Sequence, residues 1–242
     1  MFNHIGLIAS NRPSPGITQT LEQVRDLLQA RQISISYSES CARLLPELAG
    51  KTTASDDFCE TCDLVIVIGG DGTMLSVAHS ICHKNIPLLG INRGHLGFLA
   101  DIPADEVTPQ LEKILDGNFV EEKRFMLSGE VVRNGEVIAT GNAFNDVVIQ
   151  KGNIARLVQF DTYINDNFLL TQRSDGMIIS TPTGSTAYAL SGGGPILYPT
   201  LDALVLVPIC PHTLSIRPIV VDGNSRIEIA VGDRDIDKAQ LT

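Results

Sequence analysis

No apolar run in this 242-residue chain approaches the ~20 residues that a membrane span needs, so no membrane anchor is expected. The opening MFNHIGLIAS carries no basic segment ahead of its short apolar run. It reads as a first strand and not a signal peptide, and a cytoplasmic location is the expectation. Basic residues are in deficit, 18 Lys and Arg against 28 Asp and Glu, for a formal net charge of −10. That balance argues against a nucleic-acid partner. An anionic substrate would have to be met by local cations or a metal ion, since the overall field does not draw it in. The five cysteines are odd in number and irregularly spaced, which makes no disulfide framework. No internal repeat and no low-complexity tract is present.

One cysteine pattern is weighed separately. Cys59, Cys62, His79 and His83 fall close to zinc-finger spacing. A buried strand and a glycine turn lie between the two pairs, however, and both histidines sit on a helix whose apolar face is needed for packing. No structural zinc is expected, and protein ligands to any metal are left unassigned.

What is present is ordinary globular composition, 43% hydrophobic and 19% charged, in a length that suits one large domain or two small ones. The most informative stretch runs from Leu64 to Leu75, LVIVIGGDGTML. Leu64 to Ile68 is apolar and rich in β-branched residues, which predicts a strand buried on both faces. Gly69, Gly70 and Gly72 leave Asp71 as the one side chain of the turn, and Thr73 onward has helical spacing to Ile81. A carboxylate is thereby offered at the carboxyl end of a central strand, where open α/β sheets bind ligands. No Gly-Lys-Ser/Thr follows, so this is not a Walker A loop, and it is not GxGxxG. Gly-Asp-Gly alone is also a common turn; its place between a buried strand and an amphipathic helix favours function.

Strand and helix alternate through the first half. Strands are expected at 4–9, 33–37, 64–68 and 86–91, and helices at 18–30, 42–48, 73–81 and 107–115. Turn-rich loops fall at 11–16 and 92–97, with a mobile polar loop at 50–61. This spacing predicts a parallel, doubly wound sheet. After about Gly117 the period becomes two, with strands expected at 126–132, 137–143, 146–150, 157–164, 168–173, 203–207, 216–221 and 226–231. Asn134-Gly135 is a strong hairpin signal and Asn165-Asp166-Asn167 a weaker one. A single short helix is expected near 185–191. The expected architecture is an α/β domain over residues 1–120, carrying the glycine turn, followed by an all-β, sandwich-like domain over 121–242.

Two stretches of the second half also bear chemistry. Arg173 to Pro195, RSDGMIISTPTGSTAYALSGGGP, joins glycines to many hydroxyls and few charges, a surface suited to a flat, polar ligand at close range. Thr183 to Thr186 would cap the short helix and leave its N–H groups for an anion, and Tyr188 offers a ring face for a base. In NAFNDVV, Asn145 and Asp146 put an amide and a carboxylate side by side, suited to a base edge and to ribose hydroxyls; the pair is also what a turn looks like. Arg156, Arg173 and Asp175 read equally as surface charges, although Arg173 suits a bidentate phosphate contact.

GGDGT, NDVVI, SDGMIISTPTGSTAYALSGGGPI and PHTLSIRP, in this order and spacing, resemble NAD kinase, and more narrowly the bacterial enzymes. The GGDG turn alone is shared with diacylglycerol-type lipid kinases and phosphofructokinases; the later motifs are specific. The resemblance implies phosphoryl transfer from ATP to the 2′-hydroxyl of the adenosine ribose of NAD, giving NADP, with a divalent ion, Mg²⁺, accompanying ATP. It implies that Asp71 is the proton acceptor and that Gly72 shares the NAD contact. Asn145 and Asp146 fall on the pair that contacts adenosine, with Asp146 where glutamate is usual. Further contacts fall on Arg156, Arg173, Asp175, Thr186, Ala187, Tyr188, Ala189, Leu190 and Ser191. It also implies a homodimer or homotetramer with sites completed across subunits. The chain stops at Thr242, before the last strands and helix that such enzymes carry, so the second domain is expected to be incomplete and Gln240 is not assigned. Two other readings are an NAD(P)-binding sensor without turnover and a lipid kinase of the diacylglycerol type. The 173–195 stretch is too polar for a lipid entrance.

Overall fold

The computed structural model describes every residue except 1, 13, 55–57, 59, 85, 95–96, 101, 153–155, 214 and 233–238. It divides into two compact units, Met1–Glu121 and Glu122–Thr242.

The first unit alternates strand and helix: β1 (His4–Ala9), α1 (Ile17–Ala30), β2 (Ser34–Tyr37), α2 (Glu39–Leu44), β3 (Leu64–Gly69), α3 (Asp71–Ile81), β4 (Leu88–Asn92), β5 (Ile102–Pro103) and α4 (Val107–Leu115). The strands form one sheet in the order β2-β1-β3-β4-β5, and every neighbouring pair is parallel. β3 is central and wholly buried, and its side chains alternate between two cores. Leu64, Ile66 and Ile68 pack with α1, α2 and α4, whereas Val65 and Val67 pack with Met74, Val77 and Ile81 of α3. Helices thus cover both faces, and each buried Val, Leu or Ile contributes ~1.5–3 kcal/mol. The doubly wound sheet that the sequence predicts is the one observed.

Three local expectations are corrected. The helix expected at 42–48 is instead α2 followed by a 3-10 turn at Pro46–Leu48, because Leu45, ahead of Pro46, is extended (φ −124°, ψ 91°). β4 begins two residues later than expected, after Pro87. The polar segment expected to be a mobile loop, 50–61, carries Phe58, which is helical and fully buried against Val65 and Val67. One aromatic in a polar run leaves no periodicity to read.

The second unit is antiparallel throughout. β6 (Leu127–Arg133) and β7 (Glu136–Ala143) form a hairpin whose turn residues Asn134 and Gly135 both have positive φ. β8 (Asp146–Lys151), β9 (Val158–Ile164), β10 (Asn167–Ser174) and β11 (Gly176–Ser180) follow. A 3-10 turn at Gly184–Thr186 and a short α5 (Tyr188–Ser191) precede β12 (Ala203–Ile209), β13 (Ile219–Asp222), β14 (Ile227–Val231) and β15 (Ala239–Leu241). One sheet runs β13-β12-β11-β8-β15 and another β10-β9-β14. Their inner faces meet through Met177, Ile179, Leu206, Ile227 and Ile229, the sandwich that the period-two pattern predicts. On the outer face of β11, Ile178 packs with Val148, Val205 and Val207 beneath Ala189 and Leu197. β13 starts late because Pro218 cannot donate to a ladder. β5 and β15 were not legible beforehand.

Candidate active site

In the first unit the strand order turns back between β1 and β3, which marks a ligand crevice at the strands' carboxyl ends. A cleft of about 1270 Å³ opens there. It is lined by Ser10 and Arg12 after β1, Ser40 and Arg43 of α2, Gly70, Gly72 and Thr73 after β3, and Arg93 after β4. Three arginines and one acidic residue, Glu39, line this crevice of an acidic protein. Arg43 donates to Asn11 Oδ1 and Arg93 to Thr20 Oγ1, and none of the three arginines has an ion-pair partner among the described residues. α3 begins at this edge without a side-chain cap, leaving N–H groups for an anion. A Cβ on Gly72 would meet nothing within 4 Å, so the turn is bare toward the cleft and not packed against protein.

Asp71 occupies the first turn of α3, between Gly70 and Gly72. Its Oδ2 accepts the backbone N–H of Phe98 at 2.7 Å and its Oδ1 that of Leu99 at 3.1 Å. The carboxylate is therefore held in one orientation by the segment that follows β4.

In the second unit, Asn145 and Asp146 lead into β8, and Asp146 pairs with Ser180 at the end of β11. The carboxamide Oδ1 of Asn145 is buried without a hydrogen-bond partner among the described residues, a state that costs ~1–3 kcal/mol until a donor arrives. Asp146 is half-buried, and that burial raises its carboxyl above the usual range. The hydroxyl-rich stretch folds upon itself: Ser185 Oγ donates to the Pro182 carbonyl at 2.6 Å and accepts from Leu197 N–H at 3.0 Å, and Thr186 Oγ1 donates to the Thr183 carbonyl at 3.2 Å. Thr183 accepts from Arg124 Nη1 at 3.0 Å. The capping role expected of these hydroxyls is not observed. Their donors and acceptors are spent in shaping the turn.

The ATP-NAD kinase N-terminal domain family matches residues 5–119, and the ATP-NAD kinase C-terminal domain family matches residues 144–240. The NAD kinase of Hahella chejuensis is 49% identical over 232 residues, covering 96% of this chain and 78% of that protein. That of Pseudomonas fluorescens is 48% identical over 233 residues, covering 95% and 77%. The chain belongs to the ATP-NAD kinase family. Two solved structures share the fold: yeast NADH kinase complexed with NADH (TM-score 0.84, 24% identity, 99% of this chain and 74% of that one), and an Archaeoglobus fulgidus NAD kinase in complex with ATP (TM-score 0.74, 22% identity, 99% and 83%).

The residues that this family resemblance singles out fall into separate groups. Asp71 and Gly72 belong to the first unit. Asn145 and Asp146 lie at one end of the β8–β11 pair, and the Thr181–Thr186 turn is bonded to them. Arg173 and Asp175 lie at the other end, where Gly176 pairs with Gln150, roughly 14 Å along the strand at ~3.4 Å per residue. Arg156 is exposed in the connection that leaves that same end of β8. Asp175 is engaged by Lys151, whose Nζ is 2.7 Å from Oδ1, a contact off the line of a hydrogen bond. Tyr188 and Leu190 of α5 are exposed, whereas Ala189 is fully buried in the core, backbone included, so the contact that the resemblance implies for it has no accessible surface in this structure.

Sequence reading missed Arg12, Arg43 and Arg93. Two of them carried a signal, since Arg12 lies three residues past the end of β1 and Arg93 directly follows β4, each preceded by an asparagine. Of the Zn-like pattern, Cys59 lies outside the described residues, Cys62 is buried, and His79 and His83 are exposed. No helix of the described residues is long and apolar enough to cross a membrane.

Proposed function

We infer that the chain is an ATP-dependent NAD kinase, which transfers the γ-phosphoryl group of ATP to the 2′-hydroxyl of the adenosine ribose of NAD. Asp71 is the general base. It takes the hydroxyl proton as the ribose oxygen bonds to the γ-phosphorus and the bond to the β–γ bridging oxygen breaks, giving NADP, ADP and one proton. The observation that carries this reading is a carboxylate fixed at the carboxyl end of β3 by the amides of Phe98 and Leu99, on a bare turn whose Gly70 and Gly72 line a crevice that also bears three arginines. Arg12, Arg43, Arg93 and the amide groups at the start of α3 supply the positive potential that a triphosphate needs and the chain as a whole lacks.

On the acceptor side, the unpaired Oδ1 of Asn145 suits a base N–H, and the desolvated Asp146 suits a ribose hydroxyl. Gly72, the accessible Thr186, Ala187, Leu190 and Ser191 with Ala189 packed behind them, the ring of Tyr188, and Arg156, Arg173 and Asp175 complete the proposed NAD contacts. The ~14 Å between the two groups of the second unit supports a homodimer or homotetramer in which a partner subunit completes each site. Mg²⁺ is the proposed ion. Among the described residues no cluster of three or more His, Cys, Asp or Glu is placed to hold a metal, which fits an ion carried on ATP phosphates, where it offsets their charge. A cytoplasmic location completes the reading.

A coupled assay for NADP, run with and without Mg²⁺, tests it. Formation of NADP that needs both ATP and the metal is the expected result. NAD binding without turnover would instead make the chain a sensor.

A further inference from the structure

We propose that Gly97, with the backbone amides of Phe98 and Leu99, is the positioning element of the catalytic base. This rests on the reading of Asp71 as that base. Each oxygen of the Asp71 carboxylate receives one N–H, from Phe98 at 2.7 Å and Leu99 at 3.1 Å. Two donors on two oxygens fix both the position and the plane of the group, and each oxygen keeps a further lone pair for the ribose proton. Gly97 is what lets the segment come so close. A Cβ there would stand 2.2 Å from Oδ1, 2.4 Å from Cγ and 2.5 Å from Oδ2 of Asp71. Gly97 lies outside the left-handed region that favours glycine, so alanine fits the backbone itself. The obstacle is the carboxylate.

The amides are main-chain groups fixed when the fold forms, so the base needs no reorganisation as the proton moves. Moving a reacting group by about 1 Å costs ~100-fold in rate, and a Cβ at Gly97 forces a shift of that order. The segment therefore acts on kcat, through Asp71, and not on the affinity of either substrate.

The test is a double-mutant cycle on the full chain with Asp71→Ala and Gly97→Ala, reading kcat, both KM values, NAD affinity by calorimetry, and Tm. Gly97→Ala is expected to lower kcat ~100-fold with both KM values held within about threefold. In the Asp71→Ala background it is expected to change neither the residual rate nor Tm. Undiminished kcat in Gly97→Ala, a raised KM in place of a lowered kcat, or an equal loss in both backgrounds overturns the proposal. If Gly97→Ala unfolds while the double variant folds, the two residues are coupled as proposed; if both unfold, the proposal fails. Full turnover in Asp71→Ala alone would strike the base assignment, a different result from failure of the clamp.

Discussion

The backbone N–H of Thr181 donates to the carbonyl oxygen of Asn145 at 2.9 Å. Thr181 Oγ1 donates to the Phe144 carbonyl at 2.8 Å and Ser180 Oγ to that of Asn145 at 3.2 Å. Two motifs 35 residues apart are thus tied through main-chain acceptors, which leaves the Asn145 and Asp146 side chains free for a ligand.

The tie predicts a large effect from a small change. A Cβ on Gly184 would lie 2.2 Å from the Asn145 carbonyl oxygen, a backbone atom that cannot swing aside. Gly184→Ala is expected to destabilise the second unit by ~1–3 kcal/mol and to weaken NAD binding. Thermal unfolding and calorimetry check both, and an unchanged Tm would contradict the packing.

Asp71→Asn keeps the size of the side chain and removes the base. Turnover is expected to fall by ~10²–10⁴-fold, with the affinity for NAD changed less than about threefold. Calorimetry beside the coupled assay separates the two effects.

Burial holds the Asp146 carboxyl above its ordinary range in the folded chain, so the unfolded chain ionises first as pH rises. Between the two pKa values the native state binds more protons, and stability falls as pH climbs through the folded pKa. Asp146→Asn is therefore expected to raise Tm of the ligand-free protein at pH 7, the advantage vanishing below about pH 4. The same change removes a charge-assisted bond to ribose and should weaken NAD binding ~10-fold or more. A substitution that lowers Tm at neutral pH would refute the desolvation argument.

The two ends of the β8–β11 pair predict complementation between subunits. Asp146→Ala and Arg173→Ala enzymes are each expected to be severely impaired. After mixed reassembly, a dimer with shared sites regains about a quarter of wild-type activity, since half of the dimers are hybrids and each carries one intact site. No recovery after demonstrated subunit exchange would show that each chain uses only its own residues.

The doubly wound sheet was legible because it rests on local patterns. The unbroken apolar run of β3 fixes its central place, and the helical period of α1 and α4 fixes the faces they cover. The NG hairpin and the alternation in β11 and β12 did the same for the second unit. Less legible was whatever depends on one residue meeting a distant one. Phe58 reaches the core from a polar run, and the Thr183 and Ser185 hydroxyls turn inward where a cap was expected. Arg173 and Asp175 sit beside the other binding residues in the sequence pattern, yet at the opposite end of the strand pair.

The sequence by itself determined the family, the two kinds of layer and the glycine turn that bears Asp71, because strand period, turn chemistry and motif order are written in consecutive residues. Only the tertiary structure decided which way that carboxylate faces. Its partners are main-chain amides at Phe98 and Leu99, reached across the sheet edge, and every residue but proline carries such an amide. No side chain in the sequence marks them.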